Sequence, residues 1–145
     1  METPFITPEE IYTAIEEYQL QAIAPEAKDV RTAILAAIQE AASYLNGKYD
    51  CHAIFSATGD DRHVLLVEHC KSIAVWYMLR RNNTDILFER AKEYYKAAKE
   101  WLAMVAGVHE SGRTIAADLP LRKVDGIAQT KTRSGSVPKF NSFFD

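Results

Sequence analysis

The longest uninterrupted apolar run of the chain is Ile73-Ala74-Val75-Trp76-Tyr77-Met78-Leu79. Seven consecutive residues on a helix point in every direction around its axis, and a helix that is apolar on all sides is buried on all sides. We therefore predict that a helix from Arg62 to around Arg81 forms the centre of the fold. The two arginines at its end suit the negative pole of the helix dipole.

Three further helical patterns can cover this central helix. Thr7-Pro8-Glu9-Glu10 has the residues of a capping box and begins the first helix. A stripe of apolar residues at helical spacing runs from Asp29 to Leu45. Another runs from Thr84 to Ala106, where Gly107 can end the helix. Residues 1–107 therefore predict an all-α fold, a bundle of about four helices.

The connection into the central helix has a mixed character. Residues 50–59 are predicted as a loop, and Asp60 and Asp61 as the N-terminal cap of the central helix, because carboxylates suit the positive end of its dipole. Large aromatic side chains usually pack in cores. We expect that role for the five on the last two helices: Trp76, Tyr77, Tyr94, Tyr95 and Trp101.

The character of the chain changes after Gly107. Residues 1–107 carry 11 Lys+Arg and 16 Asp+Glu, a net charge of −5, whereas residues 108–145 carry 6 and 4, a net charge of +2. Helical periodicity is missing from Arg122 onward, and Ser, Thr, Gly and Lys predominate there. We predict that residues 108–145 form a long, extended C-terminal arm beside a helical domain of residues 1–107.

The arm ends in Phe140, Phe143 and Phe144. A segment that stays solvated seldom carries large apolar side chains, and clustered ones mark docking surfaces. We predict that these three residues bind a partner, together with the cations Arg133 and Lys139. Folding back onto the parent domain is the alternative.

The composition limits the class of protein. The 145 residues are 48% hydrophobic and 26% charged, which is typical of one globular domain that can bury a core. The net charge of −3 indicates no general attraction to nucleic acid, and two cysteines indicate no disulfide scaffold. The acidic start and the lack of a long apolar run argue against a signal peptide and a membrane span.

Motifs for catalysis or metal binding are weak. The candidate ligands are the adjacent pairs Cys51-His52 and His69-Cys70, with His63. Neighbours on a helix point about 100° apart, so such a pair does not easily share one ion. We interpret Cys70 as buried and His69 as solvent-facing. Because phosphate-binding loops and the G-x-S-x-G motif are also missing, we expect no enzyme, no metal and no cofactor.

Three stretches of the chain form a set: 41–49 (AASYLNGKY), 71–81 (KSIAVWYMLRR) and 88–102 (FERAKEYYKAAKEWL), the last followed by Gly107. Together they resemble the close of the second helix, the buried helix with paired arginines and the Trp-Leu helix of the phage Mu gp36-like proteins. The resemblance extends over about residues 5–107. Residues 50–55 replace the family's proline-containing loop, and no family motif maps onto the arm.

The resemblance implies a head–tail connector, also called a head-completion adaptor, of a tailed phage or prophage. Such a protein is a structural part of the virion neck and is made in the bacterial cytoplasm. Its copies form a homo-oligomeric ring between the portal protein and the tail or stopper proteins. DNA passes through the channel without specific binding, and no membrane is involved.

Two other functions stay open at this point. A small nucleic-acid-binding or packaging protein would use the basic arm, and its binding to duplex DNA would weaken steeply with salt. A metal-dependent enzyme would be built on His52, His63, His69 and the cysteines, and stoichiometric zinc in the purified protein would support it.

Overall fold

The computed structural model describes residues 5–17, 27–82 and 85–123. Within these ranges the chain forms α1 (Pro8–Glu17), α2 (Ala27–Leu45), α3 (Cys51–Ser56), α4 (Val64–Asn82) and α5 (Asp85–Ala106). A short 3-10 turn, Gly59–Asp61, precedes α4. The described part of the chain contains no strand, and its helices pack against one another, so the all-α prediction is confirmed.

The apolar run lies on α4, which contacts α1, α2 and α5. Five of its seven residues are buried: Ile73, Ala74, Val75, Met78 and Leu79. Trp76 and Tyr77 are only partly buried. The expectation of burial on all sides is therefore wrong along this one edge, where aromatic rings with a polar atom can pack and still reach solvent.

The long helices α2 and α5 both run antiparallel to α4. On α4 and α5, the His69 ring stacks on the Trp101 ring at 4.9 Å, and the Trp76 ring stacks on Tyr95 at 5.0 Å. The contacting residue on α5 has a lower number as the residue on α4 has a higher one, so the two helices are antiparallel. α2 runs in the direction of α5, because Glu40 binds Tyr95 and Tyr49, just past the end of α2, reaches Val105.

The starts of α1 and α4 lie at the same end of the molecule, because Arg62 binds Glu10 and the Phe5 carbonyl. The Phe5 ring meets Phe55 of α3 at 5.0 Å, edge to face. We call this end the α3 end. It comprises α3, the starts of α1 and α4, and the ends of α2 and α5.

The cap of α1 is formed as predicted. The Thr7 backbone N–H donates to Glu10 Oε1 at 2.9 Å, and the Glu10 N–H donates to Thr7 Oγ1 at 3.3 Å. Each side chain thus satisfies the other's free backbone donor, which is the capping box.

Two predictions about the connection to α4 are wrong. Residues 51–56 are helical rather than a loop, because the Asp50 carboxylate accepts the Ala53 N–H at 3.1 Å and starts α3. Six residues are too few to give a helical period in the sequence. His63, not the aspartates, caps α4: its Nδ1 accepts the Leu66 N–H at 3.2 Å.

The described part of the C-terminal arm, residues 108–123, packs at the α3 end. Gly107 adopts a positive φ of 79°, which lets the chain reverse after α5. The Ile115 N–H then donates to the Met104 carbonyl at 3.1 Å, and the Leu119 side chain is buried. The arm therefore contributes to the core before it reaches residue 124.

Leu102 is completely buried on α5, whereas Leu35 is exposed on α2. We expect Leu102→Ala to lower the free energy of unfolding by about 2–5 kcal/mol, because it leaves a cavity. Leu35→Ala should change it by less than about 0.5 kcal/mol. Urea denaturation followed by circular dichroism measures both, and equal losses would contradict this placement of the core.

Candidate interaction surface

Exposed apolar side chains concentrate at the α3 end. They are Val64 (73% exposed), Leu65 (46%), Val108 (67%) and Leu121 (62%). Single exposed apolar residues are common, but several at one end of a small domain are typical of an interaction surface. The α3 end is therefore the candidate functional site.

A charged clamp holds this end together. Arg62 Nη1 and Nη2 donate to the two carboxylate oxygens of Glu10 at 2.9 and 2.8 Å. Arg62 Nη1 also donates to the Phe5 carbonyl at 2.9 Å, and Nε donates to the Gly59 carbonyl at 2.8 Å. Bidentate pairs between arginine and a carboxylate are among the stronger and more directional hydrogen bonds. The clamp joins α1 to the start of α4.

The pKa of Glu10 reflects this clamp. Partial burial by itself raises the pKa of the carboxyl, but the hydrogen bonds from Arg62 and Thr7 and the positive charge of Arg62 outweigh burial. The pKa therefore lies below the ordinary value of 4.5. The charged form of Glu10 is the one that the folded protein stabilises.

The arm is tied to the same end by backbone pairing. Tyr49 and Leu121 form an isolated antiparallel bridge. Beside it, the Asp50 N–H donates to the Pro120 carbonyl at 2.9 Å, and the Arg122 N–H donates to the Lys48 carbonyl at 3.0 Å. The arm therefore starts at the α3 end after α5 and is still at that end at residue 122. The predicted partner-binding residues lie outside the described residues: Arg133, Lys139, Phe140, Phe143 and Phe144.

A second cluster surrounds the Glu40 carboxylate between α2, α4 and α5. Tyr77 and Tyr95 donate their hydroxyls to its two oxygens at 2.5 and 2.8 Å. Burial raises the pKa of Tyr95, and the hydrogen bond to Glu40 raises it further. The Lys99 ammonium lies 4.9 Å from the Tyr95 ring. A carboxylate that accepts two hydroxyls joins three helices, so we interpret this cluster as structural.

The aromatic residues are placed partly as expected. Trp101 is buried, which confirms its packing role, whereas Trp76, Tyr77 and Tyr95 pack against the core from its edge. Tyr94 is exposed, so its assignment to the core is wrong. Its position three residues after buried Ala91 and four before buried Ala98 lies on the apolar stripe, so helical spacing does not account for its exposure.

The histidines and cysteines are dispersed. Cys70 is buried, as predicted, and burial raises the pKa of its thiol to about 12. His69 is only partly exposed rather than solvent-facing, because its ring stacks on Trp101, and this burial lowers its pKa. His52 is exposed on α3. Among residues 5–17, 27–82 and 85–123, no three His, Cys, Asp or Glu side chains are placed to hold a metal ion.

Comparison with family models, curated proteins and solved structures finds no match to this chain. Within the described residues, none of the helices combines the length and the apolar character that crossing a membrane requires.

Sequence reasoning did not identify the apolar residues at the start of α4. A signal exists in Val64-Leu65-Leu66-Val67, because four consecutive apolar residues on a helix cannot all face one side. Leu66 and Val67 are buried, whereas Val64 and Leu65 point outward. The packing of the neighbouring helices, and not the four-residue segment itself, decides which two residues face the core.

We expect Glu10→Gln to lower the free energy of unfolding at pH 7 by about 1–3 kcal/mol, because Arg62 loses its charged partner. Since folding lowers the pKa of Glu10, its contribution is present above pH 4.5 and is lost as the pH falls through the lowered value. The difference between wild type and Glu10→Gln should therefore shrink below pH 4.5.

Urea denaturation of both proteins at a series of pH values measures this difference. Glu9→Gln is the matched control, because Glu9 is exposed in the same helical turn. A difference for Glu10→Gln that does not change with pH would contradict the role of the clamp.

Proposed function

We propose that this protein is a head–tail connector, a structural adaptor that forms a homo-oligomeric ring between the portal and the tail or stopper proteins of a phage neck. The observation that carries the proposal is the α3 end, where four exposed apolar side chains lie and where the described part of the arm packs. The resemblance of about residues 5–107 to phage Mu gp36-like proteins supports the same function.

The proposed mechanism is binding rather than catalysis. A ring needs a heterologous interface, in which one surface of each copy meets a different surface of the next. The exposed apolar residues of the α3 end offer one such surface, and the distal arm offers another. The apolar surface of the α3 end and the distal arm are different parts of each copy, as a heterologous contact repeated around a ring requires.

The reach of the arm fits this role. The 22 residues from 124 to 145 would span at most about 75 Å if fully extended. The radius of gyration of a domain of this length is about 15 Å. An arm of this length can reach a neighbouring subunit or the portal from the α3 end.

Quantitative mass spectrometry of purified phage particles from the host that carries this gene tests the proposal. A connector should be present in a low, fixed number of copies that matches a neck ring. Absence from finished particles would contradict the proposal. Salt-dependent binding of the purified protein to duplex DNA would then favour the packaging function of the basic arm.

We expect deletion of Lys139–Asp145 to abolish attachment to the partner while the helical domain stays folded, because the deletion removes all three terminal phenylalanines. The helical circular dichroism signal and the melting temperature should match those of the full chain. Incorporation into particles, followed by mass spectrometry, measures attachment. Leu35→Ser is the control, because it removes an exposed apolar side chain away from the α3 end. Normal incorporation of the truncated chain into particles would contradict the prediction.

A further inference from the structure

We propose that Val64 and Leu65, the α4 first-turn pair, receive the terminal segment Lys139–Phe144 of a second copy of this chain. The inference rests on the proposed ring, and it assigns the acceptor surface and the donor within that ring. The sequence patterns predicted that the phenylalanines bind a partner, but they did not identify the acceptor.

The α4 first-turn pair is held in place although it is exposed. Val64 and Leu65 are 73% and 46% exposed, whereas the next two residues of the helix, Leu66 and Val67, are buried. The His63 side chain caps the turn through the Leu66 N–H. Because its helical turn is already capped and followed by two buried residues, the pair loses little conformational entropy on binding. This favours a specific contact.

Charge around the pair matches the proposed donor. Asp60 and Asp61 precede it and are exposed, and Glu68 follows it one turn later. Arg62 is paired with Glu10, and Lys71 is paired with Glu68 at 2.8 Å, so the two aspartates leave a negative excess of two charges. The terminal segment offers Lys139 directly before Phe140. A cationic residue beside apolar rings is complementary to an apolar pair beside carboxylates.

The length of the chain allows the terminal segment to reach a second copy. The backbone pairing at Leu121 already places the arm at the α3 end, the end that carries the α4 first-turn pair. Phe140 follows 19 residues after Leu121 and would lie up to about 65 Å away in an extended chain. This reach is sufficient for the terminal segment to cross to the neighbouring copy that the proposed ring supplies.

Full-length variants test the proposal by sedimentation velocity over a range of concentrations. Wild type should self-associate, and Leu65→Ser should weaken association about tenfold or more, because it removes the larger apolar side chain of the acceptor from the contact. A Phe143→Ser, Phe144→Ser double variant should show a similar loss. Leu35→Ser, with a leucine that is 62% exposed on α2, is the matched control and should associate as wild type does.

Mixing tests whether the terminal segment of one copy binds the acceptor of another. Leu65→Ser keeps an intact terminal segment, and the double phenylalanine variant keeps an intact acceptor. When mixed, the two should form a one-to-one heterodimer, because one complete contact remains between them. Circular dichroism of each variant confirms that it is folded.

Three results would overturn the proposal. They are a monomeric wild type at every concentration, which is expected if the segment binds its own domain, equal association of Leu65→Ser and Leu35→Ser, or a mixture of the two complementary variants that stays monomeric. Each leaves the proposed function testable by the copy number in particles. If the protein is present in particles at the copy number of a ring but its self-association does not depend on Leu65, the connector function stands and this acceptor site is wrong.

Discussion

The structure is organised around a helix that has no polar side. Because apolar residues surround α4 between Ile73 and Leu79, the helix is stable only where other helices remove those residues from water. α1, α2 and α5 provide this cover. The exception is the edge with Trp76 and Tyr77, where ring stacking on Tyr95 and the hydroxyl bond to Glu40 replace full burial.

Apolar packing covers α4 along its length. At the α3 end, polar contacts connect the ends of the helices to one another. The Arg62–Glu10 clamp connects the start of α1 to the start of α4. The Tyr49 hydroxyl donates to the Val105 carbonyl at 3.3 Å and connects the end of α2 to the end of α5. The backbone pairing of residues 48–50 with 120–122 adds the arm to the same end.

This arrangement gives the α3 end two properties that suit an interaction surface. Its segments are joined by hydrogen bonds: the Arg62–Glu10 clamp connects α1 to α4, the Tyr49 hydroxyl connects α2 to α5, and backbone pairing adds the arm. It is also apolar at its surface, where Val64, Leu65, Val108 and Leu121 are exposed. A preorganised apolar surface binds with little loss of conformational entropy. The proposed connector function and the proposed acceptor for the terminal segment both depend on this combination.

Local patterns alone were sufficient for the long helices, the capping box of Thr7 and Glu10, and the central position of α4, because each depends on residues within a few turns. They were insufficient for α3, for the His63 cap and for the placement of residues 108–123. The first two are set by contacts three residues apart, Asp50 with Ala53 and His63 with Leu66, which leave no periodic signal in the sequence. The third depends on contacts between distant residues, such as Arg122 with Lys48. The outward orientation of Val64 and Leu65 belongs to the same class, since only the packing of the neighbouring helices selects which side of an apolar run is buried.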